Sequence, residues 1–346
     1  MTKYEVIRRI VSDLGYPEYR FGQISNAIFK QKIKRYDDMT QLPAALRDAL
    51  KAELGDGVVG LAVAEHSLSK QTHKVLFRAF DGCAAESVAL EYKKGWNSFC
   101  ISSQCGCACG CKFCATGGMG FKRNLTADEI TDQLLSFLSD GKALDSVSFM
   151  GMGEPLLNPE VFTALRVLTD AELFGLSQRR ITVSTVGIVA GIRRMTAEFP
   201  NVNVAFSLHA PTDELRREIM PVNDKYRISE VFAALDEHIA ATNRRVFLAY
   251  VMLSGVNDGD AEARALIDLI DAHKRYKRLY HVDLIPYNRT YADRFIASDK
   301  TRIIRFRNIL ERAGLSVSVR TQFGSDINAA CGQLAANSTK GGGRRQ

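Results

Sequence analysis

Apolar residues recur at helical spacing in the first part of the chain. Two apolar faces with intervals of three or four residues are formed by Val6, Ile10, Leu14, Phe21, Ile24 and Ile28. Such intervals place side chains on one side of a helix, and the break at residues 15–17 separates two helices. A third helix is predicted to begin at Pro43 and to end near Gly55. Residues 1–57 therefore predict a small helical accessory domain.

Short apolar runs follow at residues 58–63 and 74–77, separated by glycine and polar residues. Runs of this length that are bounded by turn residues are typical of β-strands. Residues 58–94 therefore predict a small antiparallel sheet that links the accessory domain to the rest of the chain. Cys83 follows Gly82 in a predicted turn, where it is interpreted as an incidental thiol.

From Trp96 onward, strand, loop and helix alternate. The predicted strands cover residues 97–103, 145–150, 179–185, 202–208, 245–252 and 279–285. The clearest helix follows Thr126, which forms a capping box with Glu129. Six β-α units predict an α/β fold in which a parallel sheet curves into a partial (β/α)6 barrel over residues 95–337. Residues 338–346 lack an apolar anchor and predict a disordered basic tail.

Glycines and polar residues follow the predicted strands. A cysteine-rich loop follows the first strand, and a glycine-rich turn at residues 151–155 follows the second. The other candidates at strand ends are Ser184, Ser207, Leu208, His209 and Asn288. Because the chemistry of a parallel barrel lies at the carboxyl ends of its strands, we expect these residues to meet at one rim.

Composition is that of an ordinary globular protein, with 46% hydrophobic and 25% charged residues in 346. No run approaches the roughly 18 apolar residues of a membrane span, and the start of the chain is not a secretory signal. A cytoplasmic protein without membrane contact is therefore predicted.

The formal charge of +7 permits a polyanionic partner. Five basic residues and no acidic one occur from Arg20 to Arg35, namely Arg20, Lys30, Lys32, Lys34 and Arg35. We expect the second helix to continue through them, with Lys30 and Lys34 on one face. That face is either an element that contacts the phosphates of structured RNA or an ordinary solvated surface.

Six of the eight cysteines lie in residues 100–126. Cys107, Cys111 and Cys114 have the spacing C-x3-C-x2-C, which lets a short loop place three thiolates at three corners of a [4Fe-4S] cluster. The fourth iron is then open to S-adenosylmethionine (SAM), whose cleavage by a cluster electron yields a 5'-deoxyadenosyl radical. This is the radical-SAM signature, and the aromatic Phe113 before Cys114 is typical of it. Cys105 and Cys109 are predicted not to hold iron.

Two other uses of the cysteines stay open. A four-cysteine zinc site could use Cys105, Cys107, Cys111 and Cys114, although zinc sites more often join two separated pairs. In that case the chain would be a zinc-stabilised RNA-binding protein. A disulfide-rich loop is the other alternative, but secreted scaffolds of that kind are short and rich in cysteine throughout.

The glycine-rich turn is a candidate SAM contact. Gly151 and Gly153 allow a close approach of the backbone, and Glu154 could accept hydrogen bonds from the amino group of the methionine moiety. An ordinary turn after a strand would have the same composition. His209, Ser184 and Asn288 could likewise be buried polar residues without a ligand.

Several segments resemble the RlmN/Cfr family of radical-SAM ribosomal RNA adenine methyltransferases. They are residues 99–107, 112–117, 149–154, 206–209 and 330–334. The resemblance implies methylation of adenosine 2503 of 23S rRNA, at C8 in Cfr and at C2 in RlmN. Residues 103–105 and 280–282 are similar to Cfr, whereas residues 154–158 are more like RlmN. We therefore expect the C8 product and antibiotic resistance, with C2 methylation or a tRNA substrate as alternatives.

The resemblance also implies roles for Cys331, Cys100 and Glu86. One SAM methylates the Cys331 thiolate, and the radical from a second SAM removes a hydrogen atom from that methyl group. The carbon radical adds to the adenine and tethers the RNA to the protein. Cys100 then resolves the adduct by attacking Cys331, which leaves a disulfide and methylated RNA. Glu86 matches a family glutamate proposed as a base.

The implied partners are RNA and an electron donor. We expect naked or protein-poor 23S rRNA rather than the assembled ribosome, and a donor such as flavodoxin.

Overall fold

The computed structural model describes residues 1–92, 95–289, 294–321, 323–324, 327–330 and 332–334. Cys331 and the predicted tail at residues 338–346 lie outside this part of the chain. The helices are α1 (Lys3–Asp13), α2 (Tyr19–Phe29), α3 (Ala44–Leu54), α4 (Ala115–Gly118), α5 (Ala127–Ser139), α6 (Glu160–Thr169), α7 (Val189–Glu198), α8 (Asp213–Ile219), α9 (Ile228–Thr242), α10 (Asp260–Ala272) and α11 (Lys300–Arg312).

Helices α1, α2 and α3 form their own hydrophobic core. Thr2 begins α1 as the cap of a capping box with Glu5, so exposed amides of the first turn are hydrogen-bonded. Leu135 and Val167, from α5 and α6, complete this core. The helical region therefore packs directly against two helices of the barrel.

The basic segment after α2 is not helical, and the prediction of one basic helix face was wrong. Helix α2 ends at Phe29, and Lys32 has a left-handed backbone with φ of +59°. The chain turns there because the following segment pairs with residues 56–58. The Lys34 carbonyl accepts a hydrogen bond from the Val58 amide at 3.0 Å. Lys30 and Lys34 therefore do not share a helix face.

One ten-stranded sheet forms the centre of the molecule. Its strands are β1 (Ala62–Leu68), β2 (Thr72–Arg78), β3 (Ala84–Glu91), β4 (Asn97–Cys100), β7 (Ser146–Phe149), β8 (Ile181–Thr185), β9 (Asn203–Ser207), β10 (Val246–Met252), β11 (Tyr280–Pro286) and β12 (Ser316–Val319), in that spatial order. A separate hairpin pairs β5 (Gln104–Gly106) with β6 (Phe121–Asn124).

The sheet is antiparallel at one end and parallel over the rest. Strands β1, β2 and β3 are antiparallel, as expected for residues 58–94, but β3 pairs with β4 and so continues the barrel sheet. From β4 to β12 every pairing in the sheet is parallel. The six predicted barrel strands are present, and β12 adds a parallel strand that was not predicted.

Helix α5 illustrates how the sequence builds the outer layer of the barrel. Thr126 and Glu129 form the predicted capping box, and Ile130, Leu134 and Phe137 are buried against the sheet. These apolar residues recur every three or four positions, which matches one face of a helix. Within the described residues, no helix is long and apolar enough to cross a membrane.

Candidate active site

The three predicted iron ligands lie in one cavity at the carboxyl ends of the parallel strands. Cys107, Cys111 and Cys114 line it together with residues of β7, β8, β9 and β11 or of the loops that follow them. We call this the cluster cavity. The hairpin of β5 and β6 brackets the cysteine loop, and its strands approach so closely that a Cβ on Gly106 would lie 1.9 Å from the Gly120 oxygen. Only glycine fits there, where φ is +77°.

The thiols of the loop are in unequal environments. Burial raises the pKa of Cys111 well above its usual value. Burial also raises the pKa of Cys114, although hydrogen bonds from Gly117 and Thr116 act in the opposite direction. A hydrogen bond from the Cys109 thiol lowers the pKa of Cys107. The same contact raises the pKa of Cys109, which also lines the cluster cavity. Buried thiols with raised pKa values bind as thiolates only when a cation such as iron replaces the proton.

The arrangement favours a cluster over a single zinc ion. Zinc draws its four ligands to within about 2.3 Å of one centre. Across the described part of the chain, no three His, Cys, Asp or Glu side chains converge closely enough to hold one metal ion. Cys107, Cys109, Cys111 and Cys114 all line the cluster cavity, and the first, third and fourth have the spacing that suits a cubane, whose iron atoms take one thiolate each.

The glycine-rich turn after β7 packs against the start of the hairpin. A Cβ on Gly153, where φ is +98°, would lie 2.5 Å from the Gln104 Cβ, and a Cβ on Gly151 would lie 2.6 Å from the Ile101 oxygen. Glu154 is buried and accepts hydrogen bonds from the Leu156 amide at 3.1 Å and the Val186 amide at 2.8 Å. Burial raises the pKa of Glu154 to about 7. Glu154 therefore organises the rim as well as lining the cavity.

His209 is a fixed, neutral residue of the cavity. Its backbone is left-handed, with φ of +58°, and its Nδ1 accepts a hydrogen bond from the Val251 amide at 3.0 Å. Burial lowers the pKa of His209 to about 3, with help from the charges of Arg216 and Arg320. The ring therefore carries its proton on Nε2 at neutral pH. The ring of Phe113 packs edge-on against it, with 4.9 Å between the ring centroids.

Four of the other predicted SAM contacts also line the cavity, and one does not. Gly153, Ser184, Ser207 and Asn288 line it, and the two serine hydroxyls are 3.3 Å apart. Leu208 is completely buried and does not line the cavity. Leu208 directly follows β9, and its side chain packs into the hydrophobic core of the barrel.

A second cavity adjoins the first. Cys100 and Val88 of the sheet line it, as do Ala330 and Leu334 on either side of Cys331 in the sequence. We call it the cysteine cavity. Residues that line both cavities are Met150, Ile285, Pro286, Asn288 and Arg320. The two cavities therefore share a wall.

Comparisons with known proteins agree with this geometry. Residues 101–267 match the family model of the Radical SAM superfamily. The ribosomal RNA large subunit methyltransferase Cfr of Clostridium botulinum strain Okra is 53% identical over 333 residues, 96% of this chain and 97% of the relative. The chain belongs to the RlmN/Cfr family of radical-SAM methyltransferases. This confirms the family predicted from the motifs.

Two further relatives span almost the whole chain. The protein of the same name from Bacillus velezensis is 48% identical over 98% of each chain. The crystal structure of a radical SAM methyltransferase from Sphaerobacter thermophilus has a TM-score of 0.90 and 41% identity, and covers 97% of this chain and 98% of its own. The fold class is thus confirmed. A [4Fe-4S] cluster and SAM are the cofactors of such an enzyme, and the cluster cavity has the donor set to hold the cluster.

Glu86 is not among the residues that line the cluster cavity or the cysteine cavity. It is buried, and its carboxylate is 3.2 Å from Nζ of Lys74 on the neighbouring strand. The same Nζ donates to the Asn328 carbonyl at 3.4 Å. Lys74 therefore links Glu86 to the segment that leads to Cys331.

Two arginines at the site were not predicted from the sequence. Arg320 lines both cavities and pairs with Asp283 at 2.7 Å. Arg216 is completely buried behind the cluster cavity, where it binds the backbone of β8 and β9. Arg216 and Arg217 are adjacent in the sequence, and nothing in the spacing of α8 distinguishes the buried arginine from the exposed one.

Proposed function

We propose that this protein methylates an adenine of 23S rRNA at C8, using a methyl group that Cys331 carries and Cys100 releases. The relatives from C. botulinum and B. velezensis are named as ribosomal RNA large subunit methyltransferases, and they match nearly the full length of the chain. The proposed target is adenosine 2503, and its methylation would confer resistance to antibiotics of the peptidyl-transferase centre.

The shared wall of the two cavities is the observation that carries the proposal. The cluster cavity holds Cys107, Cys111 and Cys114, whereas the cysteine cavity holds Cys100. Gly332 lines the first and Ala330 the second, so the chain on either side of Cys331 borders both.

Hydrogen bonds fix the segment that follows Cys331 to the cysteine loop. The Gly332 carbonyl accepts from the Ala115 amide at 2.8 Å, and the Leu334 carbonyl accepts from the Thr116 hydroxyl at 2.5 Å. Ala115 and Thr116 directly follow the ligand Cys114 in the sequence. A methyl group on Cys331 would thus be held near the cluster.

The bond changes at the two cysteines are balanced. When bound, the cluster and SAM supply the 5'-deoxyadenosyl radical that takes a hydrogen atom from the methyl group on Cys331. The adduct formed by addition to the base would be a radical, and it would lose one electron, which the cluster would take back, and the proton of the attacked carbon. Cys100 would then attack the Cys331 sulfur. This forms a disulfide and breaks the bond from sulfur to the methylene carbon, which keeps the electron pair and takes up a proton as the new methyl group.

Glu86 would act as the base that removes the proton from the adenine carbon. The Lys74 ammonium lies 3.2 Å from the Glu86 carboxylate, so an ion pair fixes the position of that carboxylate. The register of the sheet supports this placement, because Lys74 lies opposite Val88 and Val88 lies opposite Cys100. Paired residues face the same side of a sheet, so Lys74, Val88 and Cys100 share one face. Glu86 is two residues before Val88 in β3 and therefore lies on that face too.

Burial of the site bears on the form of the substrate. Cys105 and Cys109 are almost inaccessible to solvent. The predicted iron ligands are only partly exposed, namely Cys107, Cys111 and Cys114. An adenine must therefore leave its stack to reach the cysteines, which is easier in naked or protein-poor rRNA than in an assembled ribosome. A cytoplasmic enzyme with a low-potential electron donor such as flavodoxin completes the proposal.

Mass spectrometry of 23S rRNA tests the proposal. Cells that express the protein, the Cys331→Ala variant or neither would be compared, and the modified nucleoside would be matched to C8-methyl and C2-methyl adenosine standards. We expect the C8 product only with the unchanged protein, together with growth in the presence of antibiotics of the peptidyl-transferase centre. A C2 product would contradict the regiochemistry, and unmodified rRNA with a modified tRNA would contradict the substrate.

A further inference from the structure

Arg216 is an unusual residue because its charge is buried without a carboxylate partner. It lies in α8 and is completely inaccessible, whereas the side chain of Arg217 is 47% exposed and pairs with Asp224 at 2.5 Å. Among the described residues, no ion pair involves Arg216. Its hydrogen bonds go to neutral acceptors, namely the carbonyls of Val186, Ser207, Leu208 and Tyr226 and the side chain of Asn223, at 2.7 to 3.1 Å.

A buried charge of this kind needs an anion nearby. Removing a guanidinium from water costs several kcal/mol, which neutral acceptors offset only in part. Burial lowers the pKa of Arg216 only to about 10, so the side chain remains charged at neutral pH. The acidic groups that act on Arg216 are Cys111, when it is ionised as a cluster ligand, and then Asp213, Cys109 and Glu154.

The surroundings of α8 place this charge beside the cysteine loop. The Ile219 carbonyl, at the end of α8, accepts a hydrogen bond from the Lys112 amide at 2.9 Å, and Met220 lines the cluster cavity. Two of the carbonyls that Arg216 binds belong to Val186 and Ser207, which also line that cavity. Arg216 therefore stands directly behind the wall of the cluster cavity.

We infer that Arg216 is the buried counter-charge of the cluster and a positioning residue for its cavity. Three thiolates outnumber the two positive charges of the oxidised core, and reduction adds one more negative charge. A fixed positive charge nearby stabilises the reduced form more than the oxidised form. Arg216 therefore raises the midpoint potential of the cluster. The inference concerns electron acceptance by the cluster, so it is independent of the RNA substrate proposed above.

Redox titration of the reconstituted full-length protein tests this inference, with the reduced cluster followed by electron paramagnetic resonance. Arg216→Met removes the charge, Arg216→Lys keeps it with fewer hydrogen bonds, and Arg217→Met removes the same charge from the exposed face of α8. We expect Arg216→Met to disfavour reduction on the order of tenfold, or about 59 mV for a one-electron couple. Arg216→Lys and Arg217→Met should stay near the unchanged protein.

Iron and sulfide content would be measured for each variant, so that loss of the cluster is not mistaken for a shift in potential. Equal shifts in Arg216→Met and Arg216→Lys would overturn the inference, because they would mean that the hydrogen bonds matter and the charge does not. An unchanged midpoint in Arg216→Met would overturn it too. If Arg216→Met does not load a cluster, Arg216→Lys decides alone. A midpoint potential lowered by about 59 mV in Arg216→Lys, despite the retained charge, would refute the counter-charge role.

Discussion

Replacing Asp132 with Asn should loosen the helical region from the barrel. Lys3 in α1 pairs with Asp132 in α5, and the side chains are only 7% and 4% exposed. The Lys3 ammonium also donates to the Val58 carbonyl at 2.8 Å, and Asp132 accepts from the Gly60 amide at 2.7 Å. The change leaves a buried ammonium without its counter-charge.

The expected cost follows from the burial of this pair. Removing one partner of a buried ion pair costs about 3 to 5 kcal/mol. The side-chain oxygen of the introduced asparagine can still accept from Gly60, so we expect the lower end, about 3 kcal/mol. Arg9 and Glu53 provide the matched control, because their pair spans 3.0 Å between side chains that are 43% and 53% exposed. Glu53→Gln should cost about 0 to 1 kcal/mol.

Urea unfolding followed by circular dichroism measures both variants under the same conditions. The double variant Lys3→Met with Asp132→Leu removes both charges and should recover most of the stability lost in Asp132→Asn, because apolar replacements of a buried pair are often neutral. If Asp132→Asn costs no more than Glu53→Gln, the reasoning from buried charge is wrong.

Three other predictions test separate parts of the molecule. Cys111→Ala should lose iron and Cys109→Ala should keep it, and iron analysis giving the reverse would contradict the ligand assignment. Replacing Lys30 and Lys32 with Ala should reduce the log-log salt slope of RNA binding by roughly 0.7 to 0.9 per lost phosphate contact, without changing the product; an unchanged slope would discard that role. Burial raises the pKa of Asp128 to about 6 from 3.8, so the folded state binds the extra proton and stability falls as pH rises through this window. Asp128→Asn should make that fall smaller, while Glu154, whose pKa burial also raises, keeps a fall of its own. Urea unfolding of both proteins at pH 5 and pH 8 measures the difference, and an equal fall in the two would contradict the reasoning.

The barrel could be predicted because its signals are local. The predicted strands are short segments with apolar residues at alternating or consecutive positions, and α5 carries its capping box and its apolar stripe within one short segment. Placement of the candidate residues at one rim then follows from the parallel arrangement. The spacing of Cys107, Cys111 and Cys114 is likewise a local signal, and it indicates a cluster without any knowledge of distant contacts.

The remaining features depend on contacts between distant segments. Lys30 to Arg35 leave the helix because residues 56–58 pair with them, and no local residue signals that pairing. Strand β12 is short and half-buried, so its apolar run is weak. Arg216 is buried only because β8 and β9 present carbonyls to it. Leu208 stands between Ser207 and His209 in the sequence, and the fold places its side chain in the hydrophobic core.

The central claim is that Cys331 carries the methyl group and Cys100 releases the product. Its most direct test is to express Cys100→Ala in cells and to digest the purified protein for peptide mass spectrometry under denaturing conditions. The account predicts RNA that stays covalently attached through Cys331, no attached RNA in Cys331→Ala, and S-methylcysteine at position 331 in the unchanged protein. Normal turnover by Cys100→Ala, or a tether that maps to Cys105 or Cys109, would contradict it.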